Sequence, residues 1–118
     1  MIKAFHAIIY SRDDEATRAF FRDTLNMPFA DAGQGWLIFA LPPAEIGVHP
    51  TEGEGGKHQF SLICDNVEAT VAELKAKGVE FEGGIDDHGW GVVSTMKIPG
   101  AGTVMLYQPR HASPLNLT

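Results

Sequence analysis

The stretch HQFSLICDNVEATVAEL, residues 58–74, closely resembles an earlier one, HAIIYSRDDEATRAFF, at residues 6–21. Each begins with a histidine, continues as a short run of β-forming residues, passes an aspartate and enters a helical pattern at Glu-Ala-Thr. Further on, the Gly-Trp pair at 35–36 returns at 89–90, with a small drift in spacing of the kind that loop insertions cause. The chain therefore repeats one strand-and-helix unit.

Both helices carry start and stop signals. In the second, Asp65 and Glu68 resemble a capping box and Gly78 is suited to the position after the helix end. In the first, Asp13 or Asp14 is suited to cap, and Pro28 prevents extension. The apolar stripes that we expect to be buried are Val67, Val71 and Leu74 in the second helix, and Ala16, Phe20 and Phe21 in the first.

Short runs bounded by Gly and Pro follow each helix and predict strands. They are GWLIFAL and EIGVH in the first half, then VEFEG, GVVSTMKI and TVMLY in the second. Each half is thus predicted to be a βαβββ module, module one at about 1–52 and module two at about 57–111, with a C-terminal tail at 112–118. The fold class is α+β: one domain of 118 residues in which the two modules form a U-shaped, partly open sheet around a cavity.

Composition excludes several function classes. A net charge of −6 without a Lys/Arg cluster argues against nucleic-acid binding. No apolar run is long enough to cross a membrane, and charges appear too early for a signal peptide. The one cysteine, Cys64, is expected to be a small buried hydrophobe rather than a nucleophile. We expect a cytoplasmic protein.

Alternation along the strands selects residues for the cavity face. Residues two apart share a face, which groups His6 with Ile8 and Tyr10, His58 with Phe60, Leu62 and Cys64, Glu45 with Gly47 and His49, and Met105 with Thr103 and Tyr107. Symmetry of the repeat then predicts that three histidines and a phenol approach one concave surface. An isolated strand histidine is more often structural, and only the equivalent positions of His6 and His58 favour a function.

The remaining polar and aromatic residues have simpler interpretations. The two tryptophans are expected in the core or the cavity wall, and His88 and His111 in a loop and the tail. Asp86 and Asp87 could form an acidic ligand pair, although a solvated turn is the simpler interpretation.

The order of these motifs resembles the vicinal oxygen chelate superfamily, which includes glyoxalase I, extradiol dioxygenases and the bleomycin resistance proteins. The resemblance covers residues 3–111 and is carried by the histidine-headed strands, FFRDTLNM, VEATVAELKAKGVEF and the closing LYQP. It implies the glyoxalase/bleomycin resistance/dioxygenase fold, a metal or ligand site in the U-shaped sheet, and a homodimer.

The resemblance also implies ligands for a divalent metal such as Fe, Mn, Ni or Zn. His6 and His58 match the histidine positions of metal-binding members, but the two carboxylate positions fall on Met105 and Gly47. A thioether is a poor ligand for these metals. Glu45 and His49 each lie about 7 Å along the strand from Gly47, so either could complete the site with His6 and His58.

Three functions of different class remain open, of which the first, with a small molecule bound through a divalent metal held by His6 and His58, is preferred. The first is a metal-dependent dioxygenase, lyase or isomerase in which the metal polarises two substrate oxygens. The second is a metal-free small-molecule binder or resistance protein, and the third is a role for the dimer surface alone. The residues expected to contact a small molecule are Trp36, His49, Phe60, Trp90, Met105 and Tyr107.

Overall fold

The computed structural model describes residues 6–45, 47, 50, 52–55 and 58–112, and these form an α+β protein with two helices and two sheets. The first half contains helix α1 (Asp14–Ala19), a π-helical continuation (Phe20–Thr24), and the strands β1 (Phe29–Asp31) and β2 (Leu37–Phe39). The second half contains β3 (Ser61–Ile63), α2 (Val67–Ala76), β4 (Phe81–Asp87), β5 (Gly91–Lys97) and β6 (Thr103–Pro109).

Helix α2 begins and ends close to where its sequence indicates. Its N-cap is Asn66, whose side chain accepts a hydrogen bond from the Ala69 backbone N–H, and not the Asp65 that the capping-box pattern suggested. The stripe Val67, Val71 and Leu74 is buried, as expected. Gly78 follows the C-cap in a left-handed conformation (φ 89°), which a residue with a Cβ rarely adopts.

The second half builds a four-stranded mixed sheet in the order β3-β6-β5-β4. Strand β6 lies parallel to β3 and antiparallel to β5, and β5 is antiparallel to β4. Helix α2 provides the crossover that a parallel pair requires. The second half therefore has the βαβββ order that the sequence predicts.

One face of this sheet forms the hydrophobic core with the helices. Val104 and Leu106 of β6 are buried on this face, as their alternation predicts, together with Val92 and Met96 of β5. The helical segments contribute Phe20, Phe21, Val67, Val71 and Leu74, and Ile98 joins the cluster from the turn after β5. The opposite face of the sheet, carrying Met105 and Tyr107, is called the free face below.

Helix α1 is anchored to the turn between β5 and β6. Asp13 caps the helix by accepting from the Ala16 N–H, as one of the two expected candidates. The buried Thr17 hydroxyl donates to the Pro99 carbonyl at 2.5 Å and lies 2.8 Å from the Ser11 hydroxyl. The Gly100 carbonyl accepts from the Arg12 N–H at 2.9 Å. These contacts connect the start of the first half to the second half.

The first half differs from its expected module. Residues 6–10 are not in a strand, and β1 was not among the expected strands. Strand β1 pairs antiparallel with β2 across a turn in which Asp31 accepts from the Gly33 N–H. The expected strand EIGVH falls partly outside the described residues, since 46, 48 and 49 are not described. The tandem arrangement of two modules therefore stays a prediction.

The helices in the described ranges are too short and too polar to span a bilayer.

Candidate functional site

The site is built on the free face of the four-stranded sheet. Met105 and Tyr107 project to this face because Val104 and Leu106 take the core side. Across the ladder, Val93 of β5 and Ile63 of β3 are the partners of Tyr107, while Thr95 and Ser61 are the partners of Met105. These residues make a largely uncharged floor with Tyr107 near one end.

Four rings meet at that end of the sheet and are called the aromatic array: His88, Trp90, Tyr107 and His111. The imidazole of His88 lies parallel to the Trp90 indole, with ring centroids 5.1 Å apart and an interplanar angle of 7°. Trp90 meets Tyr107 edge-on at 5.7 Å, and Tyr107 meets His111 at 5.6 Å. Such offset and edge-to-face geometries are the favourable ones for aromatic pairs. Trp90 nevertheless leaves 51% of its surface exposed.

Gly91 permits this position of the Tyr107 ring. The two residues are diagonal neighbours across β5 and β6, since Gly91 pairs with Pro109 and Val93 with Tyr107. A Cβ added at Gly91 would overlap the phenol ring and approach the Gln108 carbonyl. The ring therefore lies over bare backbone that only glycine provides.

An ion pair fixes the turn that carries Trp90. Both carboxylate oxygens of Asp87 accept from the Arg110 guanidinium, at 2.5 and 2.6 Å, and Oδ1 also accepts from the Gly89 N–H. The Arg110 hydrogen bond, then that from Gly89, lowers the pKa of Asp87 below its ordinary value. The pair joins the end of β4 to the residue after β6. Its two members are the chain neighbours of His88 and His111 in the array.

The negative charge of Glu45, in the first half of the chain, acts on Tyr107. Burial raises the pKa of the Tyr107 phenol above its ordinary value, and the negative charge of Glu45 raises it further. Glu45 was expected on the cavity face beside Gly47, and it interacts with the residue at the array's centre. The two halves therefore both contribute to the surroundings of Tyr107.

The expected metal ligands do not come together in the described part of the chain. His6 and His58 are exposed, and neither lies in a strand. Gly47 is exposed, and His49 lies outside the described residues. No three His, Cys, Asp or Glu side chains among the described residues are arranged to hold a metal ion. The metal site of His6 and His58 with Glu45 or His49 therefore stays a prediction.

The register of β3 also differs from the expected face. Leu62 lies opposite Leu106 and so takes the core side, whereas Ser61 and Ile63 take the free face. The sequence grouped His58, Phe60, Leu62 and Cys64 with the cavity. A shift of one residue in register exchanges the faces of a strand, and β3 begins only at Ser61.

The two tryptophans belong to different surroundings. Trp36 is 62% exposed and lies against the guanidinium of Arg18 on α1, 5.4 Å from its ring centroid. Trp90 packs with His88 and Tyr107. Phe60 is exposed ahead of β3. Of the expected small-molecule contacts, Trp90 and Tyr107 touch each other, and Met105 lies on their face of the sheet.

Two surface depressions lie elsewhere. One of about 380 Å³ is on the β1–β2 hairpin and is lined by Pro28, Phe29, Ala30, Ile38, Phe39 and Ala40. The other, of about 230 Å³, lies between the helices and the turn before β6 and is lined by residues such as Phe20, Lys77 and Lys97. Neither is lined by an expected site residue.

His88, His111 and Gly91 are the members of the site that the sequence did not indicate. The first two were assigned to a loop and the tail, and they do lie outside the strands, yet both make ring contacts. The signal in the sequence is HGWG at 88–91, where an indole stands between two glycines and beside an imidazole. Cys64 is half-buried, and burial raises its pKa, which favours the protonated thiol over the nucleophilic thiolate.

Solved structures share this fold. An antibiotic binding protein, TnmS3, from Streptomyces sp. CB03234 is similar with a TM-score of 0.66 and 23% identity, over 92% of this chain and 98% of that one. A lactoylglutathione lyase from Agrobacterium tumefaciens is similar with a TM-score of 0.62 and 16% identity, over 92% and 95%. A member of the glyoxalase/bleomycin resistance protein/dioxygenase superfamily from Sphaerobacter thermophilus DSM 20745 is similar with a TM-score of 0.61 and 21% identity, over 91% of this chain and 98% of that one.

Sequence comparison identifies the family. No curated protein sequence matches significantly. A family model, described as the Glyoxalase/Bleomycin resistance protein/Dioxygenase superfamily, matches residues 3–103. This match spans α1, α2 and both sheets up to the start of β6. The chain therefore belongs to the glyoxalase/bleomycin resistance protein/dioxygenase superfamily.

Proposed function

We propose that this protein binds a planar aromatic small molecule at the aromatic array without the help of a metal ion. The observation that carries the proposal is the half-exposed Trp90 indole, held by His88 and Tyr107 beside the uncharged partners of Met105 and Tyr107 on β3 and β5. Planar ligands gain contact area and favourable electrostatics from such rings. Met105 adds a flexible, polarisable side chain to the same face.

Two further facts support binding over metal chemistry. The carboxylate positions implied by the resemblance carry Met105 and Gly47, neither of which can act as a carboxylate ligand. The similar structure from Streptomyces sp. CB03234 is that of an antibiotic binding protein, so a chain of this fold can bind a small molecule. The proposed ligand is therefore a small molecule that the protein holds.

The test is a fluorescence titration of protein stripped of metal with a chelator. A Trp36→Phe background leaves Trp90 as the remaining indole, because the chain has two tryptophans. We expect 1-pyrenemethanol, a neutral planar probe, to quench Trp90 saturably. Tyr107→Ala in this background is expected to weaken binding about tenfold, in line with roughly 1–1.5 kcal/mol for an aromatic pair.

The matched control removes an exposed aromatic elsewhere. Phe29→Ala, on the β1–β2 hairpin, should leave the probe's affinity unchanged. Equal losses in Tyr107→Ala and Phe29→Ala, or absence of saturable quenching, would contradict the proposal.

A metal-dependent lyase or dioxygenase is the second candidate. It is favoured by one observation, that His6 and His58 stand at both histidine positions of the family pattern. It predicts about one transition metal per chain in untagged protein and none in a His6→Ala/His58→Ala double variant, by elemental analysis. Metal bound equally by both proteins, or by neither, would count against it.

We propose further that the protein is a cytoplasmic homodimer whose interface includes the β1–β2 hairpin. The hairpin exposes large apolar side chains, among them Phe29, Trp36, Ile38 and Leu41. Apolar surface of this extent is typical of an interaction site. Acidic composition and a single cysteine support the cytoplasmic location.

A further inference from the structure

Two carboxylates stand in line with the aromatic array on the free face. Asp86 of β4 pairs with Val93, which pairs with Tyr107 on β6. Glu82 pairs with Thr95, which pairs with Met105. Paired residues project to the same side of a sheet. Both carboxylates therefore belong to the face that carries Tyr107.

A bulge in β4 aligns Asp86 with Val93 and Tyr107 across the three strands β4, β5 and β6. The pairing of β4 with β5 shifts register between Glu82 and Asp86. In an uninterrupted ladder continuing from the Glu82–Thr95 pair, Asp86 would lie opposite Gly91 instead of Val93. Such irregularities often redirect a side chain next to a binding site. The shift places Asp86 two strands from Tyr107, about 10 Å across the sheet.

The nearby cations are engaged with other carboxylates. Arg110 binds Asp87 through both oxygens, and Lys97 approaches Glu80 at 4.0 Å. Within the described ranges, the side chains of Asp86 and Glu82 make neither a hydrogen bond nor an ion pair. The free face thus carries uncompensated negative charge at its β4 edge, in a protein of net charge −6.

We propose, on the basis of the function proposed above, that the ligand is a planar organic cation whose ring packs on Trp90 and Tyr107 and whose positive charge faces Asp86 and Glu82. The aromatic rings attract a cation through their π faces, and the carboxylates attract it through their charge. An anion of the same shape meets repulsion from both. The charge of the face thereby selects among ligands that fit the array equally well.

The experiment compares three probes that share one ring system and differ in charge. These are 1-pyrenemethylammonium, 1-pyrenemethanol and 1-pyrenecarboxylate, each titrated against Trp90 fluorescence in the Trp36→Phe background. We expect the ammonium to bind most tightly and the carboxylate least. The preference for the cation should shrink as salt is raised, because the carboxylates are exposed.

Charge-removing variants locate the effect. Asp86→Asn should weaken ammonium binding about threefold, the scale of an exposed ion pair, and leave 1-pyrenemethanol unchanged. Adding Glu82→Gln should bring the loss to about tenfold if both carboxylates contribute equally. Glu68→Gln is the matched control, because it removes one charge from α2, on the opposite side of the sheet.

The outcomes distinguish failure of the cation proposal from failure of the proposed binding of an aromatic molecule. Equal affinities for the three probes, or tightest binding of the carboxylate, would overturn the cation proposal and leave an aromatic binder. An ammonium preference that Asp86→Asn and Glu68→Gln reduce equally would also overturn it, since the charge would act at long range only. Failure of all three probes to bind would overturn the proposed function itself.

Discussion

Gly91 shows how one missing side chain determines the position of another. The Tyr107 ring occupies the space that a Cβ at 91 would need, and the ring then meets Trp90 and His111. Sequence alternation predicts that Tyr107 faces away from the core, but it contains no information on a diagonal neighbour across the sheet. The position of the ring could therefore not be predicted from the sequence.

We expect Gly91→Ala to move the ring, lower the free energy of unfolding by about 1–3 kcal/mol and weaken ligand binding. Urea denaturation followed by fluorescence measures the first effect. Gly84→Ala is the matched control, since a Cβ there meets nothing within 4 Å. Indistinguishable stabilities for the two variants would show that the ring moves freely.

Tyr107 also gives a prediction about pH. Burial and the charge of Glu45 raise the pKa of its phenol above the ordinary value of 10.0. The folded protein then holds the proton more tightly than the unfolded chain, so stability is retained below about pH 10 and falls as pH rises through the raised pKa.

The chain has two tyrosines, so Tyr10→Phe leaves Tyr107 as the remaining phenol for a titration at 295 nm. Its midpoint should lie above 10.0, and Glu45→Gln should lower it. An unchanged midpoint in Glu45→Gln would place the carboxylate too far from the ring to act on it.

At the scale of elements, helix α1 depends on a turn of the second half. The buried Thr17 hydroxyl donates to the Pro99 carbonyl and lies within hydrogen-bond distance of Ser11. Thr17→Val keeps the shape and removes the hydroxyl, which leaves buried polar partners unsatisfied. We expect a loss of about 1–2 kcal/mol in the free energy of unfolding.

Thr24→Val, in the π-helical continuation of α1, is the control with the same chemical change. It should stay within about 0.5 kcal/mol of the wild type by urea denaturation, as expected for partly exposed positions. A loss as large as that of Thr17→Val would assign the effect to helix propensity rather than to the Pro99 contact.

The sequence predicted elements best where periodicity and stop signals agree. Helix α2 and strands β5 and β6 follow from the stripe at Val67, Val71 and Leu74 and from the Gly and Pro boundaries. Strand β4 was predicted only in part, because it continues through Gly83 and Gly84 to Asp87, where the sequence predicted a strand end and a solvated turn. Strand β1 was missed because Phe29–Asp31 is three residues long and shows no alternation. The short β3 misled the face assignment, since its pairing with Met105 and Leu106 depends on a partner distant in sequence.

At the scale of the whole molecule, the exposed Phe29 and Ile38 of the β1–β2 hairpin lead to a test of association. Ile38→Lys places a charge in the hairpin depression and should convert a dimer to a monomer in sedimentation velocity. Ile85→Lys is matched, because both isoleucines are 39% exposed, and it should leave the dimer intact. A wild-type protein that sediments as a monomer at all concentrations would contradict the dimer.

The candidate site was partly predictable at this scale. The order of the motifs indicated the superfamily, which the family model confirms. Alternation along β6 predicted that Met105 and Tyr107 lie on the face opposite the core. The expected convergence of His6 and His58 assumed equal strands in both halves, and residues 6–10 form no strand. The array and the two carboxylates depend on turns and on a bulge, which local sequence does not specify.

The parallel pairing of β3 with β6 also constrains how the protein is made. Ser61 and Met105 become neighbours only after α2, β4 and β5 have been synthesised, so the second half gains the ladder between β3 and β6 late. Contacts so distant in sequence slow folding. During synthesis the apolar side of β3 stays without its partner strand, which makes the interval before β6 emerges from the ribosome the period of greatest risk for misassociation.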